Sequence, residues 1–389
     1  MRFAIEKKEL LQSIQHLVSV APAKNASPIL TNYLIQASAE TGFIKITTSD
    51  LEITVVVEFS AAVSEGGTIA VSARHFNEII NLMPDAVINF WRDEELLMIQ
   101  CNKIDYHLLI ADYTLFPVVP EIKLEDAITL DAKLFNRMIS KTHFAVSTDV
   151  NRAVLTGVCW KIMQNMHLMA ATDGRKVAEI KILNSNILPE LPQSETEESS
   201  IFGEGNEPGL EKIIPVKTLA FLQKIFDNSV TELRVIIERS KVIFSYDRFL
   251  VFSQVIEHKY PEYQKAFVAE LPNQFTIDKE TLRNAIRRVA LVAPDENMRI
   301  RFEMDNELFE VNTSNRDTGD AKENLDDYSF MGSHTGVSFN FKYMLSILDA
   351  IDSEKVIIKL GSSKDPLMIY NTTETENEKI TFLLMPLRS

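Results

Sequence analysis

Ile128-Thr129-Leu130-Asp131-Ala132-Lys133-Leu134-Phe135-Asn136-Arg137-Met138-Ile139-Ser140-Lys141 carries the pattern on which the fold turns. An apolar, β-prone stretch leads to an acid, and apolar residues recur four (Phe135) and eight (Ile139) positions after Asp131. That spacing marks one face of an α-helix, and an acid before its first turn suits the helix start or caps it. The arrangement occurs twice more. Ala4-Ile5-Glu6 is followed at the same offsets by Leu10 and Ile14, and Thr276-Ile277-Asp278 by Leu282 and Ile286.

A second motif repeats in step with the first. Val71-Ser72-Ala73-Arg74, Ile214-Pro215-Val216-Lys217 and Phe339-Asn340-Phe341-Lys342 each end on a cation and open another helical pattern. Phe76, Leu219 and Met344 lie two residues on, and Ile79, Leu222 and Ile347 five residues on. Between and after these helices run alternating, β-branched stretches such as Phe43–Thr47, Leu233–Ile237 and Lys355–Lys359. Such alternation reads as half-buried antiparallel strands. Short helix–strand patterns recur by chance, but two independent triplets in one order with matched offsets do not. The reading is an α+β chain of three similar domains, 1–123, 124–255 and 256–389, each with two helices on antiparallel sheet.

Length and composition agree. A chain of 389 residues exceeds one ordinary core. Its 46% hydrophobic and 24% charged content is that of a soluble globular protein. No apolar run reaches the roughly 20 residues of a membrane helix, and the charged N-terminal stretch does not resemble a signal peptide. Cys101 and Cys159 lack metal-ligand spacing, so two reduced thiols and a cytoplasmic location are expected. The segment 189–211, with seven Glu, three Pro and no Lys or Arg, reads as a solvated acidic loop inserted in the middle domain.

The formal net charge of −15 argues against nucleic acid unless the cations are segregated. They recur at equivalent helical positions. Lys133, Arg137 and Lys141 share one face of the second copy, and Lys279, Arg283 and Arg287 one face of the third. Arg74, Lys217 and Lys342 open the other helices, while the first copy is weaker, with Lys7 and Lys8. Copies set around an axis would point these faces at one cavity, where they would suit a phosphate backbone without reading bases. No phosphate-binding loop, nucleophile elbow, metal-binding or redox motif is present, and the seven His are scattered. The expectation is a binding protein, not an enzyme, with no cofactor and no metal.

Met1-Arg2-Phe3, Pro28-Ile29-Leu30-Thr31-Asn32 and Val71–Arg74, then Ala171-Thr172-Asp173-Gly174-Arg175-Lys176-Val177-Ala178, Tyr260-Pro261-Glu262-Tyr263 and Met385-Pro386-Leu387-Arg388, resemble landmarks of the bacterial DNA polymerase III beta subunit family. The resemblance runs the whole chain in order. It implies the DNA-clamp fold and a head-to-tail homodimer closed into a ring. Such a ring is a sliding clamp: it encircles duplex DNA without sequence specificity and tethers DNA polymerase and other replication and repair proteins for processivity. Polymerase and clamp loader would engage it through short linear motifs.

By position, the resemblance places Tyr106 and Leu108 against Ile286, Leu291 and Val292 of the partner subunit. It places a partner-peptide pocket at Arg152, Leu155, Thr172, Gly174, Arg175, Val177, Pro261, Ala266, Leu384, Met385, Pro386, Leu387 and Arg388. Aliphatic and Met side chains there would form an adaptable groove for segments anchored by Leu or Phe, with arginines at its rim. DNA-facing positions are Lys24, Arg74, Arg137, Lys141, Lys217, Arg283 and Arg287. Two departures stand out. Arg175-Lys176-Val177 replaces the family's usual His-Arg-Leu, and Ala153-Val154 replaces an aromatic pair, so peptide preference is expected to differ. The alternative is a clamp paralogue or scaffold with altered partner specificity.

Overall fold

A computed structural model describes residues 1–24, 27–163, 165–183, 209–227, 229–373 and 375–387. Most of the acidic segment, 189–208, and Arg388 of the expected pocket lie outside the described residues. The chain forms two compact units, Met1–Asn136 with Lys217–Val255, and Arg137–Val216 with Ile256–Ser389.

Six α-helices are seen among the described residues: α1 (Lys7–Ile14), α2 (Ala73–Leu82), α3 (Ala132–Thr142), α4 (Val216–Ile225), α5 (Lys279–Val289) and α6 (Phe341–Ala350). These are the six expected from the two repeated motifs. Each apolar offset residue of α1, α3 and α5 is buried: Leu10, Ile14, Phe135, Ile139, Leu282 and Ile286. The helix starts follow side-chain chemistry. Asp131 Oδ1 accepts from Leu134 N and Asp278 Oδ1 from Thr281 N, whereas Glu6 makes no side-chain cap. Ser72 and Asn340 cap α2 and α6. The short side chains reach back to the free N–H groups of the first turn.

In the first unit all described strands join one antiparallel sheet of thirteen, from Ile128–Asp131 at one end to Ala62–Glu65 at the other. Near its middle, Ile53–Ser60 pairs with Phe249–Gln254, with Phe249 opposite Val57 and Ser253 opposite Ile53. The second unit holds a nine-stranded and a four-stranded sheet. In the larger one Lys176–Leu183 pairs with Glu378–Leu384, with Lys176 opposite Leu384 and Ile182 opposite Glu378. Both joints obey one rule. The third strand after the first helix of a repeat adds to the third strand after the second helix of the next repeat.

Two strands occupying these same places lack such a neighbour. Among the described residues Gly319–Asn324 pairs only with Phe309–Asn315. Ile104–Ala111 pairs along its length with Leu96–Cys101, and meets Gly67–Ser72 only at Ile110 and Ala111. An unpaired strand edge exposes a row of main-chain donors and acceptors that seeks another strand.

Candidate binding groove and charged surfaces

The groove lies wholly in the second unit and is built on three pieces of backbone. The first is the 3-10 segment Val150–Thr156, opened by Asp149, whose carboxylate accepts from Asn151 N, and kinked at Arg152 (φ −107, ψ 53). The second is the turn Thr172-Asp173-Gly174 between strands Met166–Thr172 and Lys176–Leu183. Asp173 Oδ1 accepts from the N–H groups of Arg175 and Lys176, and Thr172 Oγ1 accepts from Gly174 N. Gly174 takes φ +87, where side chains are disfavoured. A Cβ there would also lie 2.7 Å from Arg152 Nη2, so a larger residue would push the guanidinium aside. Arg152 Nη1 donates to Asp173 O at 2.8 Å, so the guanidinium rests on the turn.

The third piece is Tyr260-Pro261-Glu262-Tyr263 and the 3-10 turn Tyr263–Ala266. Two phenol groups tie it to the sheet. Tyr260 OH accepts from Thr172 N at 3.0 Å. Tyr263 OH donates to Glu179 Oε2 at 2.7 Å, and Glu179 Oε1 pairs with Lys181 at 3.0 Å. Glu179 is only 2% exposed, a carboxylate kept in the interior by two partners. Burial pushes both phenols well above their ordinary range, as it does the Cys159 thiol beneath them, so none of the three is poised to ionise. Cys159, Leu168, Val177, Ile213, Met368 and Leu383 pack with both tyrosines in one buried apolar cluster, of which Val177 and Leu383 reach the groove.

A cavity of about 210 Å³ results, lined by Arg152, Leu155, Thr172, Gly174, Arg175, Val177, Pro261, Ala266 and Met385 among others. All nine were expected from the sequence. Leu384 was also expected but does not line it. Strand residues alternate, and Leu384 is fully buried while its neighbour Leu383 faces the groove. Leu387 lines a separate polar hollow beside Arg301 and Ser338, and its N–H donates to Ser338 O. Pro386, between Met385 and Leu387, is not among the lining residues. Sequence reasoning missed Leu383, Glu262 and Tyr263 as lining residues; the two-residue step from Met385 back to Leu383 was the available signal for the first.

The expected DNA-facing cations behave unequally. In the second unit Arg137, Lys141 and Arg283 do converge, but on carboxylates: Asp349 and Asp352 at the end of α6, and Glu378 at the start of the strand Glu378–Leu384. Arg137 donates to both oxygens of Glu378 at 2.6 and 2.7 Å and to Asp352 at 2.7 Å. Arg283 Nε lies 2.8 Å from Asp349. Lys141 pairs with Asp352 and donates to Ala350 O, the last carbonyl of α6, with its side chain 7% exposed. A helix C-terminus attracts cations, and this one takes its donors from α3 and α5. The expectation that Lys141 faces DNA is therefore corrected: it is buried, with its ammonium held by Ala350 O and Asp352. Arg137 and Arg283 are compensated by carboxylates. Arg287 and Lys133 are exposed and in no ion pair among the described residues.

In the first unit Lys217 pairs with Asp50, and Arg74 with Glu78 in an exposed pair that screening weakens. Lys24 is exposed. Of the expected dimer contacts, Tyr106 is 40% and Leu291 85% exposed, and Leu108 and Val292 are half-buried. Ile286 is fully buried on the core face of α5, so its expected contact with a second subunit is withdrawn.

No described helix is long and apolar enough to cross a membrane, and no cluster of metal-ligating side chains occurs among the described residues. Family models of the DNA polymerase III beta subunit match in sequence: its N-terminal domain at residues 1–120, its central domain at 129–193 and 198–262, and its C-terminal domain at 265–388. The chain is 27% identical over 399 residues to a beta sliding clamp of Staphylococcus epidermidis and 26% to that of Staphylococcus aureus, each covered over 100% of both chains. The DNA polymerase sliding clamp from Bacillus subtilis superposes with a TM-score of 0.87 at 26% identity, covering 100% of this chain and 99% of that one. The beta subunit from DNA polymerase of Streptococcus pyogenes gives 0.89 at 23% identity, over 100% of both, a likeness of fold.

Proposed function

Because the chain belongs to the DNA polymerase III beta subunit family, we propose that it is a replication sliding clamp, a ring around duplex DNA that tethers DNA polymerase without catalysing any reaction. The observation that carries the reading is the succession of all three family domains along one chain; we set their limits at 1–123, 124–255 and 256–389.

The strand rule supplies the route to closure. Repeat one joins repeat two through Ile53–Ser60 and Phe249–Gln254, and repeat two joins repeat three through Lys176–Leu183 and Glu378–Leu384. Applied once more, it pairs Gly319–Asn324 of one subunit with Ile104–Ala111 of another. Two such head-to-tail contacts close a dimer. Exposed Ile104, Tyr106 and Leu109 on one strand, and Leu291 near the other, supply apolar contact.

Within that ring Lys24, Arg74, Lys217 and Arg287 face the DNA, with Arg137 and Arg283 beside them held by carboxylates, and the groove at Arg152, Leu155 and Val177 receives short linear motifs of polymerase and clamp loader. Topology, not tight contact, holds the DNA. A polymerase in the groove stays at high effective concentration near the primer end. A separate ATP-driven loader opens the ring, and the work is cytoplasmic. The test is loading onto nicked circular plasmid followed by linearisation. Release on cutting is expected; persistence on linear DNA with free ends contradicts topological holding.

A further inference from the structure

We infer that the seam between subunits closes in a single charge-matched register, His107 opposite Asp320 of the partner subunit and Asp105 opposite the partner's Lys322, and that protonation of the imidazole tightens it. The inference rests on the ring reading and adds which residue meets which. The register follows by counting along pairings that all three repeats share. On one side the count starts three residues before the second helix, at Ala70, Ile213 and Ser338, which lie opposite Leu34, Cys159 and Arg301. Those lie opposite Thr47, Ala170 and Asn312, and these in turn opposite Val56, Glu179 and Lys322. On the other side it starts three residues before the acid, at Phe3, Ile128 and Phe275, which lie opposite Phe90, Val235 and Ile358. Those lead through Ile99, Phe244 and Ile369 to Tyr106, Val251 and Phe382. Both joints within the chain then match: Val251 lies opposite Val55 and Phe382 opposite Ala178, each one residue before Val56 and Glu179. The residue before Lys322 is Ala321, so Tyr106 meets Ala321 of the partner subunit, and the two charged pairs flank it.

Face and charge agree with the count. Val251, Val55, Phe382 and Ala178 are buried in their joints, whereas Tyr106 is exposed and Ala321 half-buried, as surfaces awaiting a partner would be. On the opposite face the internal joints set Phe252 against Thr54 and Leu383 against Val177. The seam sets exposed His107 against exposed Asp320 at that place, and exposed Asp105 against exposed Lys322 beside it. Opposite charges placed directly across two strands favour pairing and like charges oppose it. A slip of two residues brings Asp105 against Asp320, or His107 against Lys322, and a slip of one turns Tyr106 to the wrong face.

Most of the charge that faces His107 in this seam is negative. Its own strand supplies Asp105, which accepts from Gln100 Nε2 at 2.9 Å. The neighbouring strand sets Met98 opposite it, with Leu96 and Gln100 to either side, none of them ionisable. The partner subunit's Asp320 lies directly across and the partner's Lys322 diagonally, the latter 3.7 Å from Glu310 on the strand behind. Arg316 and Asp317 in the turn before Gly319 offset each other. A histidine gains its charge as pH falls from 8 to 5. A proton bound more tightly in the ring than in the free subunit strengthens the ring as pH falls, and that gain is lost as pH rises.

The experiment follows dimer dissociation of the full chain by sedimentation velocity over a dilution series at low salt. Two histidine pairs per ring are expected to make the dimer about 3- to 10-fold tighter near pH 6 than near pH 8. His107→Gln and Asp320→Asn should each abolish that difference and still dimerise. Asp105→Lys alone should weaken the dimer at both pH values, and Asp105→Lys with Lys322→Asp should restore it, because only this register sets the two positions face to face. Equal affinity of the wild type at both pH values, a pH response that survives in His107→Gln, or a double exchange no better than Asp105→Lys alone overturns the inference while the ring stands. A chain that stays monomeric at every concentration and pH sinks the ring reading and the inference with it.

Discussion

Tyr263→Phe isolates the device that holds the groove wall in place. The substitution keeps the ring, which packs edge-on at 6.1 Å from Tyr260 and 5.8 Å from Phe267, and deletes only the hydroxyl. That hydroxyl donates at 2.7 Å to a carboxylate 2% exposed, so the variant leaves Glu179 in the interior with its ion pair to Lys181. A hydrogen bond to a charged acceptor contributes about 1.5–3 kcal/mol, and loss of one partner carries the desolvation of the group left behind. A destabilisation of about 2 kcal/mol follows, which for a unit of this size lowers Tm by roughly 4–8 °C.

The groove should respond with the stability. Pro261 and Ala266 sit on the segment that Tyr263 pins, so amide exchange over 260–267 should accelerate and peptide binding weaken through faster dissociation. Glu179→Gln keeps an acceptor for the phenol and is expected to cost less. Tyr263→Phe combined with Glu179→Leu should recover part of the loss, because removing both partners leaves no stranded carboxylate. A Tm shift below about 1 °C for Tyr263→Phe with unchanged exchange would refute the account, since it would show the 2.7 Å contact contributes nothing in solution.

Other expectations follow from burial and charge. Burial lowers the His167 pKa to about 4 from 6.5, so the unfolded chain binds its proton first on acidification. The stabilisation is complete above pH 6.5 and is lost as pH falls toward 4, by up to about 3 kcal/mol, and urea titrations across that range should flatten in His167→Leu. Ile286→Ala should cost about 2–5 kcal/mol of folding stability through a core cavity. Leu109→Asp, at 77% exposure, should instead leave the fold intact and shift light scattering toward the monomer. Arg287→Ala should reduce the salt slope of DNA binding by about one with no change in stability, whereas Arg137→Ala should cost about 1–2 kcal/mol, discounted for partial exposure, by stranding Glu378. Gly174→Ala should displace the Arg152 guanidinium and weaken peptide binding, read by calorimetry.

What could be read from the sequence was local in origin. Offsets of four and eight residues lie within one helix, so the apolar positions of α1, α3 and α5 showed themselves without knowledge of their partners. The same regularity should have removed Ile286 from the interface, because a residue on the repeat's apolar face already has a core to fill; Leu291 and Val292, beyond the end of α5, do not. The groove residues were placed by the family resemblance, through the Thr172-Asp173-Gly174 turn, Tyr260–Tyr263 and the Met385–Arg388 stretch, and not by any periodicity of their own. The contacts of the struts were not legible. Tyr260 and Tyr263 reach groups 88 and 84 residues away in the chain, and nothing near either tyrosine announces a buried glutamate.

The cationic faces teach the sharpest lesson about that boundary. A Lys or Arg every fourth residue fixes which side of a helix is positive, but not whether that side meets water or another helix. Arg137 and Lys141 meet Asp352 across more than two hundred residues, so their charge is answered inside the second unit. The positive potential left for DNA is then carried by fewer, exposed side chains, Arg287 and Lys133 among them. Weak phosphate contact is poorly suited to a protein that grips DNA and well suited to one that must slide along it, since each contact released costs little and a closed ring loses nothing by letting go.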